Sequence, residues 1–283
     1  MRRRPAHAGT FYPGTRGELV KAIEDSFTHP LGPGSLPRGD GEDRSVGYIV
    51  PHAGYMYSGP VAAHSYYHLS REPRPSVVVI AGPNHTGLGM LAAVYKEGVW
   101  ETPLGEVQVD SEVSRLIVSY TRMYGFDEEA HRYEHSVEVQ VPFLQYIYGE
   151  DLRIVPIVIG LQNPDASRDL AWALYKIIVE NGVDLVFLAS TDFNHYEPHD
   201  VTVEKDMEAI NAIKSLDIDR LFRVIEERYI TMCGPGPAAV LMELSRKMGG
   251  KEPVLLKHAT SGDVTGDRSW VVGYASIKFP RGG

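Results

Sequence analysis

The sequence contains a single cysteine, Cys233, among its 283 residues. This excludes an internal disulfide and any zinc module built from several cysteines. The chain also lacks an apolar stretch approaching the roughly 20 residues that cross a membrane. Residues 1–4 (MRRR) are basic, as at the start of a signal peptide, but residues 5–17 are polar and turn-forming and provide no apolar segment for one. We therefore expect a cytoplasmic protein with no membrane partner.

Positive charge is also scarce, with 28 Lys and Arg against 37 Asp and Glu and a net charge of -9. Binding to nucleic acid normally requires a basic face, so this composition disfavours nucleic acid as a partner. The hydrophobic fraction of 43% is ordinary for a globular chain that is long enough to bury a large core. No internal repeat or low-complexity tract is present, and we expect one domain over residues 1–283.

Six short runs predict buried strands, because each is rich in Val, Ile or Leu and lacks strict alternation with polar residues. They are residues 46–50, 77–81, 154–159, 185–189, 254–256 and 270–277. Helical patterns occupy residues 18–27, 111–123, 166–180, 203–214, 217–228 and 237–248, with Asp217 as an N-cap. Strands that alternate with helices predict an α/β sandwich with a largely central mixed sheet flanked by helices. Residues 28–45, with three prolines and four glycines, predict a surface loop.

Histidines follow several of the predicted strands. His52 follows the first strand in "IVPHAGY", His85 follows the second in "AGPNHTG", and His195 follows the fourth in "LASTDFNHY". Asp192 precedes His195 in the same motif, and His258 ends the run "VLLKHAT". Ligands of open α/β sheets gather at the carboxyl ends of the strands, so we expect these side chains at one edge. The alternative for each single histidine is a turn residue or a satisfied hydrogen-bonding group.

Three further features permit a functional or a structural interpretation. His135 and Glu138 are three residues apart in "EHSVEVQ", so they share a helix face and could form a polar pair over the site or merely support a helix start. Cys233 lies in "MCGPGP" before a predicted helix, whose N-terminus would favour the metal-binding thiolate; the alternative is a small buried apolar residue. Tyr55 belongs to a tyrosine cluster after His52 that could line a pocket.

Five motifs together resemble a known family. "PHAGYMYSG", "GPNHTG", "EHSVEVQVPFLQ", "STDFNHY" and "CGPGP" occur in the order and approximate spacing of the MEMO family, and "RRPAHAGTFYPG" resembles that family's N-terminus. The resemblance covers nearly the whole chain. The MEMO family is similar in fold to class III, LigB-type extradiol dioxygenases. Those enzymes hold non-haem Fe(II) with two histidines and a carboxylate, and they open catechol rings with O₂.

The resemblance implies a metal site made by His52, His85 and Cys233, with Fe(II) as the expected metal and Cu or Zn as alternatives. It also implies that His195 matches the acid/base residue of the dioxygenases and that Asp192 lines the same pocket. Here a thiolate replaces the dioxygenase carboxylate, which makes the site softer and better suited to Cu(I) or Zn. Family members are further associated with phosphotyrosine-bearing peptides and with radical-SAM and AMMECR-type proteins.

These observations leave three functions open. The first is a metal-dependent, dioxygenase-like oxidoreductase acting on a small substrate, either a phenol or another small hydroxylated molecule. In this function His195 removes a proton, and Asp192 orients His195 or the substrate. The residues expected to contact this substrate are Tyr55, His135, Glu138 and His258. The second is a non-catalytic metal-containing module that binds a peptide or aromatic ligand. The third is a Zn hydrolase, which fits the number of ligands but lacks an HExxH-type motif.

Overall fold

The computed structural model describes residues 1–39, 41–149 and 151–282, and strands alternate with helices through these ranges. The strands are β1 (Arg2–Arg3), β2 (Ser45–Val50), β3 (Val77–Pro83), β4 (Ala92–Val94), β5 (Gly98–Thr102), β6 (Gly105–Val109), β7 (Gly125–Phe126), β8 (Arg153–Ile159), β9 (Leu185–Ser190), β10 (His195–Glu197), β11 (Val254–Thr260) and β12 (Val271–Pro280). The α-helices are α1 (Arg16–Thr28), α2 (Tyr55–Leu69), α3 (Ser111–Tyr120), α4 (His135–Glu138), α5 (Val141–Tyr148), α6 (Pro164–Val179), α7 (His199–Lys214), α8 (Ile218–Glu227), α9 (Pro235–Lys247) and α10 (Ser261–Thr265). The predicted α/β class is confirmed.

One mixed sheet contains these strands, and its main path runs β1-β5-β6-β8-β3-β9-β2-β12-β10. The centre is parallel from β6 through β8, β3 and β9 to β2. β12 is antiparallel to β2 and also pairs with β11 and β10. Parallel neighbours need crossover connections, which place helices on both faces of the sheet. The carboxyl ends of β2, β3 and β9 therefore meet at one edge.

The central strands are buried on both faces. Val77, Val79 and Ala81 of β3 belong to one hydrophobic cluster, whereas Val78 and Ile80 belong to another. Successive side chains of a strand point to opposite faces, so the two clusters are the two sides of the sheet. Residues from α6 and α9 pack in the first cluster, and residues from α1 and α2 pack in the second. Burial on both faces explains why these strands read as continuous apolar runs.

The helix α2 has no counterpart among the predicted helices. Most of its residues are buried, and it contains Pro60 directly after Gly59. A helix without a polar face gives no amphipathic pattern, and a Gly-Pro pair is typical of a turn. By contrast, the predicted N-cap of α8 is present, because Asp217 Oδ1 accepts the backbone N–H of Arg220 at 3.0 Å.

The predicted strand at residues 254–256 is longer in the structure, and the predicted loop at residues 28–45 is present in its described parts. The strand predicted at residues 254–256 continues to Thr260, so His258 lies inside β11 and not at its end. The predicted loop at residues 28–45 is irregular in its described parts, 29–39 and 41–44, while Asp40 lies outside the described residues. Within the described part of the chain, no helix combines the length and apolar character needed to cross a membrane.

Candidate metal centre

Three neighbouring parallel strands deliver polar side chains to one edge of the sheet. β9 lies between β3 and β2 in the strand order. His52 is the second residue after β2, His85 the second after β3, and Asp192 the second after β9. Because the strands are parallel, their carboxyl ends share one edge; His52 and Asp192 lie at the same level of the register, and His85 lies one residue farther along its chain.

Cys233 joins the two histidines from a different direction, the connection between α8 and α9. One donor atom each from His52, His85 and Cys233 lie within 4.8 Å of one another. The His52 Nε2 to Cys233 Sγ distance is 3.2 Å, and the rings of His52 and His85 are 5.1 Å apart and nearly perpendicular. Two imidazoles and a thiol suit Fe, Cu or Zn and suit Mg or Ca poorly. The structure thus brings together the three ligands that the motifs imply.

The hydrogen bonds of Ser190 fix which nitrogen of His52 is available. Ser190 Oγ donates to the Ser136 carbonyl at 2.6 Å and accepts from Gln140 Nε2 at 2.8 Å. A hydroxyl has one proton, so His52 Nδ1, 2.9 Å away, must donate to Ser190 Oγ. Nε2 then carries the lone pair and faces Cys233. A metal-binding histidine typically has its other nitrogen tied to the protein in this way.

Glu134 holds His85 in the same tautomer as His52, with the proton on Nδ1. Its carboxylate accepts the His85 backbone N–H at 2.6 Å and lies 2.8 Å from His85 Nδ1. Burial raises the pKa of Glu134, but the hydrogen bond and charge of His85 outweigh burial and hold it at about 2. An ionised carboxylate can only accept, so His85 Nδ1 carries the proton and Nε2 is free for a metal.

A second group of candidate ligands, His85, Glu134 and His135, overlaps the first. Its carboxylate is already engaged by both N–H groups of His85 and by the backbone N–H of Ser136 at 2.9 Å. A metal there would compete with those three donors for the carboxylate that supports His85. The first group needs no such rearrangement, and its donor set is the better candidate.

The pKa of the Cys233 thiol differs from the value that the sequence led us to expect. The prediction was that the start of α9 favours the thiolate, but burial and then the charge of Asp192 raise the pKa of the Cys233 thiol well above its usual range. The backbone N–H of Asp192 donates to Sγ at 3.2 Å and opposes this effect without overcoming it. A cation coordinated by the thiol would supply the missing positive charge and favour the thiolate.

His195 is also held in a defined tautomer. Its Nδ1 lies 2.8 Å from the Thr231 carbonyl, and its backbone N–H donates to Thr231 Oγ1 at 2.7 Å. A carbonyl cannot donate, so Nδ1 is protonated and Nε2 is an acceptor. Asn194 Oδ1 accepts both the backbone N–H and the hydroxyl of Thr231, which ties the His195 loop to the segment that leads to Cys233.

Asp192 supports the main chain of His52. Its Oδ1 accepts the His52 backbone N–H at 2.8 Å. Burial raises the pKa of Asp192 to about 6, and the hydrogen bond from His52 limits the rise. The carboxyl group also lines a cavity whose wall includes His52, His85, His195 and Cys233.

Four side chains were predicted to contact substrate, and the structure places only His135 in the cavity. The His135 ring stacks on His85 at 4.4 Å and on Phe11 at 4.4 Å. Burial, followed by the charge of His85, lowers the pKa of His135 to about 4. His135 is therefore a neutral aromatic part of the wall.

Glu138, predicted to pair with His135, anchors the N-terminal segment instead. Its carboxylate accepts from Arg3 Nη1 at 2.7 Å, Tyr12 Oη at 2.6 Å, and the backbone N–H groups of Ala6 and His7. The carboxylate is buried and accepts hydrogen bonds from all four of these donors. It does not face the cavity, and the prediction that it contacts substrate is corrected accordingly.

Tyr55 and His258 likewise lie outside the wall of this cavity. The Tyr55 hydroxyl donates to the Val139 carbonyl at 2.6 Å, and its ring packs in the core. His258 Nε2 lies 2.8 Å from Asp206 Oδ2, in the middle of β11. The Tyr55 hydroxyl and His258 Nε2 thus have partners within the fold, which is the structural alternative that the sequence left open.

A cavity of about 770 Å³ leads to the three donor atoms. That volume suits a small organic ligand. Sequence reasoning missed several residues of the site, namely Ser190, Glu134, Gln140, Thr231, Phe11 and Trp270. Ser190 and Glu134 are the first residues of the motifs "STDFNHY" and "EHSVEVQVPFLQ", and their polar side chains in those motifs were the available signal.

The fold and the donor set define an α/β protein with a candidate transition-metal centre at the carboxyl edge of its sheet. A family model described as "Memo-like protein" matches residues 3–278. The chain therefore belongs to the Memo family, and the sequence prediction of that family is confirmed.

Known proteins show how far the likeness extends. A MEMO1 family protein of Aeropyrum pernix is 55% identical over 278 residues, which cover 98% of this chain and 99% of the relative. A MEMO1 family protein of Sulfolobus acidocaldarius is 54% identical over 283 residues, covering 99% of each. The crystal structure of uncharacterized protein JW3007 from Escherichia coli K12 matches with a TM-score of 0.54 at 14% identity, covering 83% of this chain and 99% of that one. This last likeness shows the fold alone.

Proposed function

We propose that this protein is a metal-dependent, dioxygenase-like oxidoreductase that acts on a small phenolic substrate. The observation that carries the proposal is that His52, His85 and Cys233 bring one donor atom each to within 4.8 Å of one another in a ligand-sized cavity. Both histidines have their Nδ1 atoms tied to the protein, so the Nε2 lone pair of each is available to a metal, and that of His52 faces the thiol. His195, with an accepting Nε2, lines the same cavity.

The donor set fits Fe(II) as the expected metal, with Cu or Zn as alternatives. Two imidazoles and one thiolate leave coordination positions for other ligands. When bound, Fe(II) would orient O₂ and a phenolic oxygen and would accept part of their charge. Cys233 in place of a carboxylate makes the site softer than the dioxygenase triad that the family resembles.

The residues around the donors have separate tasks in this function. His195 Nε2 accepts the proton of a substrate hydroxyl, since Nδ1 is occupied by the Thr231 carbonyl. Asp192 keeps His52 in place through its backbone N–H and borders the space beside His195. The stacked rings of Phe11 and His135 form an apolar wall that excludes water from one side of the substrate.

The test is O₂ consumption by protein purified without oxygen and loaded with Fe(II), assayed with a panel of simple phenols and catechols. We expect substrate-dependent uptake by the wild type, and a loss of about 10²–10⁴-fold in His195→Ala with retained metal. His64→Ala is a matched control, because His64 is partly buried and bonds to the Leu31 carbonyl away from the cavity. Uptake in His195→Ala equal to wild type would remove His195 from the proposal.

One observation favours a second candidate, a binding module without turnover. Trp270 and Tyr196 border the cavity and are 70% and 68% exposed, which is typical of a surface that contacts a ligand. This candidate predicts saturable binding of an aromatic ligand and no O₂ uptake with any metal. A Zn hydrolase would instead show activity with Zn and none that depends on O₂.

A further inference from the structure

The lining of the whole cavity contains acidic but no strongly basic side chains among the described residues. Among the described residues that line it, the carboxylates are Asp192 and Asp267, and no lysine or arginine is present. The nearby cations are engaged elsewhere: Arg268 donates to Asp263 at 3.0 Å and Lys205 to Glu197 at 2.6 Å. Recognition of phosphate or carboxylate normally relies on Arg or Lys, so this lining offers an anionic group no side-chain counter-charge.

The mouth of the cavity is aromatic. β10 pairs with β12 so that His195 lies opposite Val272 and Glu197 opposite Val271, with an irregularity between His195 and Glu197. Tyr196 lies at this irregularity with a left-handed φ of 59°, a conformation that is uncommon for a bulky residue. Such a bulge turns a side chain out of the regular ladder, and here Tyr196 is exposed at the rim.

Trp270 directly precedes β12 and borders the same mouth. The exposed rings of Trp270 and Tyr196 leave apolar surface in contact with water, which is unfavourable. A planar or cationic ligand that covered these rings would remove that unfavourable contact. Tyr57 and the buried Tyr274 continue the aromatic lining inward, while the exposed Asp267 adds a negative charge at the rim. Aromatic faces and a carboxylate both attract a cation and repel an anion.

We infer that the substrate is a phenol whose end remote from the metal is uncharged or cationic, and that ligands with an anionic remote end, including phosphorylated ones, are discriminated against. This inference rests on the proposed function, because that function places the phenolic hydroxyl at the three donors. The remote end then lies among Trp270, Tyr196 and Asp267 at the mouth.

The experiment compares tyramine with 4-hydroxyphenylacetate, two phenols of similar size that differ in the charge of the remote end. Binding is measured by titration calorimetry without oxygen and at low ionic strength, on both Fe(II)-loaded and metal-free protein. We expect tyramine to bind at least about tenfold more tightly in both forms, since cation–π and charge contacts act together. The metal-free form removes any direct bond between the carboxylate and the metal.

Variants locate the origin of the preference. Asp267→Lys should abolish or reverse the preference, whereas Asp165→Lys, an equal charge change at an exposed position of α6, should leave it intact. Equal or tighter binding of 4-hydroxyphenylacetate or phosphotyrosine by the wild type would overturn the inference. An unchanged preference in Asp267→Lys would overturn the part assigned to Asp267. Failure of the proposed function would appear separately, as absent O₂ uptake with any phenol.

Discussion

Ser190→Ala tests whether Ser190 holds His52 in position to bind a metal, in addition to stabilising the fold. Ser190 is fully buried, and its hydroxyl bonds to His52 Nδ1, Gln140 Nε2 and the Ser136 carbonyl at 2.6–2.9 Å. Alanine leaves all three groups without this partner, and each such loss costs about 1–3 kcal/mol, so we expect the free energy of unfolding to fall by at least about 3 kcal/mol. The loosened imidazole should also lower metal affinity about 10–100-fold, as removal of an outer partner typically does.

The assay is competition for Fe(II) or Zn(II) against a chromogenic chelator, together with urea unfolding of the metal-free protein. Ser65→Ala is the matched control, because Ser65 is equally buried and donates to the Ile49 carbonyl and contacts Ser276 away from the donors. We expect Ser65→Ala to lose stability and to keep wild-type metal affinity. Wild-type affinity in Ser190→Ala would refute the argument that Ser190 fixes His52 as a ligand.

Three further changes test other parts of the account. Glu138→Ala should destabilise the fold by about 3–5 kcal/mol in urea unfolding, since it leaves the buried guanidinium of Arg3 without its carboxylate; a loss below about 1 kcal/mol would contradict this. Aerobic incubation with Fe(II) should add oxygen to Cys233 and release metal, and mass spectrometry that shows an unmodified Cys233 would count against a coordinated thiolate. Cys233→Asp should keep its metal in air and should raise O₂ uptake with catechols, which an oxygen electrode would detect.

The strand ends were predictable from sequence because burial on both faces gives unbroken apolar runs. His52, His85 and Asp192 could be assigned to one edge because each follows such a run closely. The sequence did not show that His258 belongs elsewhere. The polar Lys257 interrupts the apolar run, so the strand was predicted to end before His258, whereas β11 continues through it. Strand boundaries depend on pairing with β12, which a single segment does not reveal.

The contacts that decide the site join distant parts of the chain. Glu138 meets Arg3 across 135 positions, and His52 meets Cys233 across 181. The local sequence pattern predicts on which face of its helix Glu138 lies, but it does not predict that Arg3 binds its carboxylate. For this reason the MEMO motifs, and not spacing, indicated Cys233 as a ligand, and the tertiary structure was needed to show Glu138 as an anchor.

The central claim is that one metal ion is held by His52, His85 and Cys233. The most direct measurement is anomalous scattering at the metal's absorption edge, from crystals of protein purified without oxygen and loaded with Fe(II). The account predicts one peak per chain, about 2.0–2.3 Å from both Nε2 atoms and Sγ. One donor atom from each of the three residues already lies within 4.8 Å of the others. A peak between His85, Glu134 and His135, or the same peak in the double variant His52→Ala and His85→Ala, would contradict it.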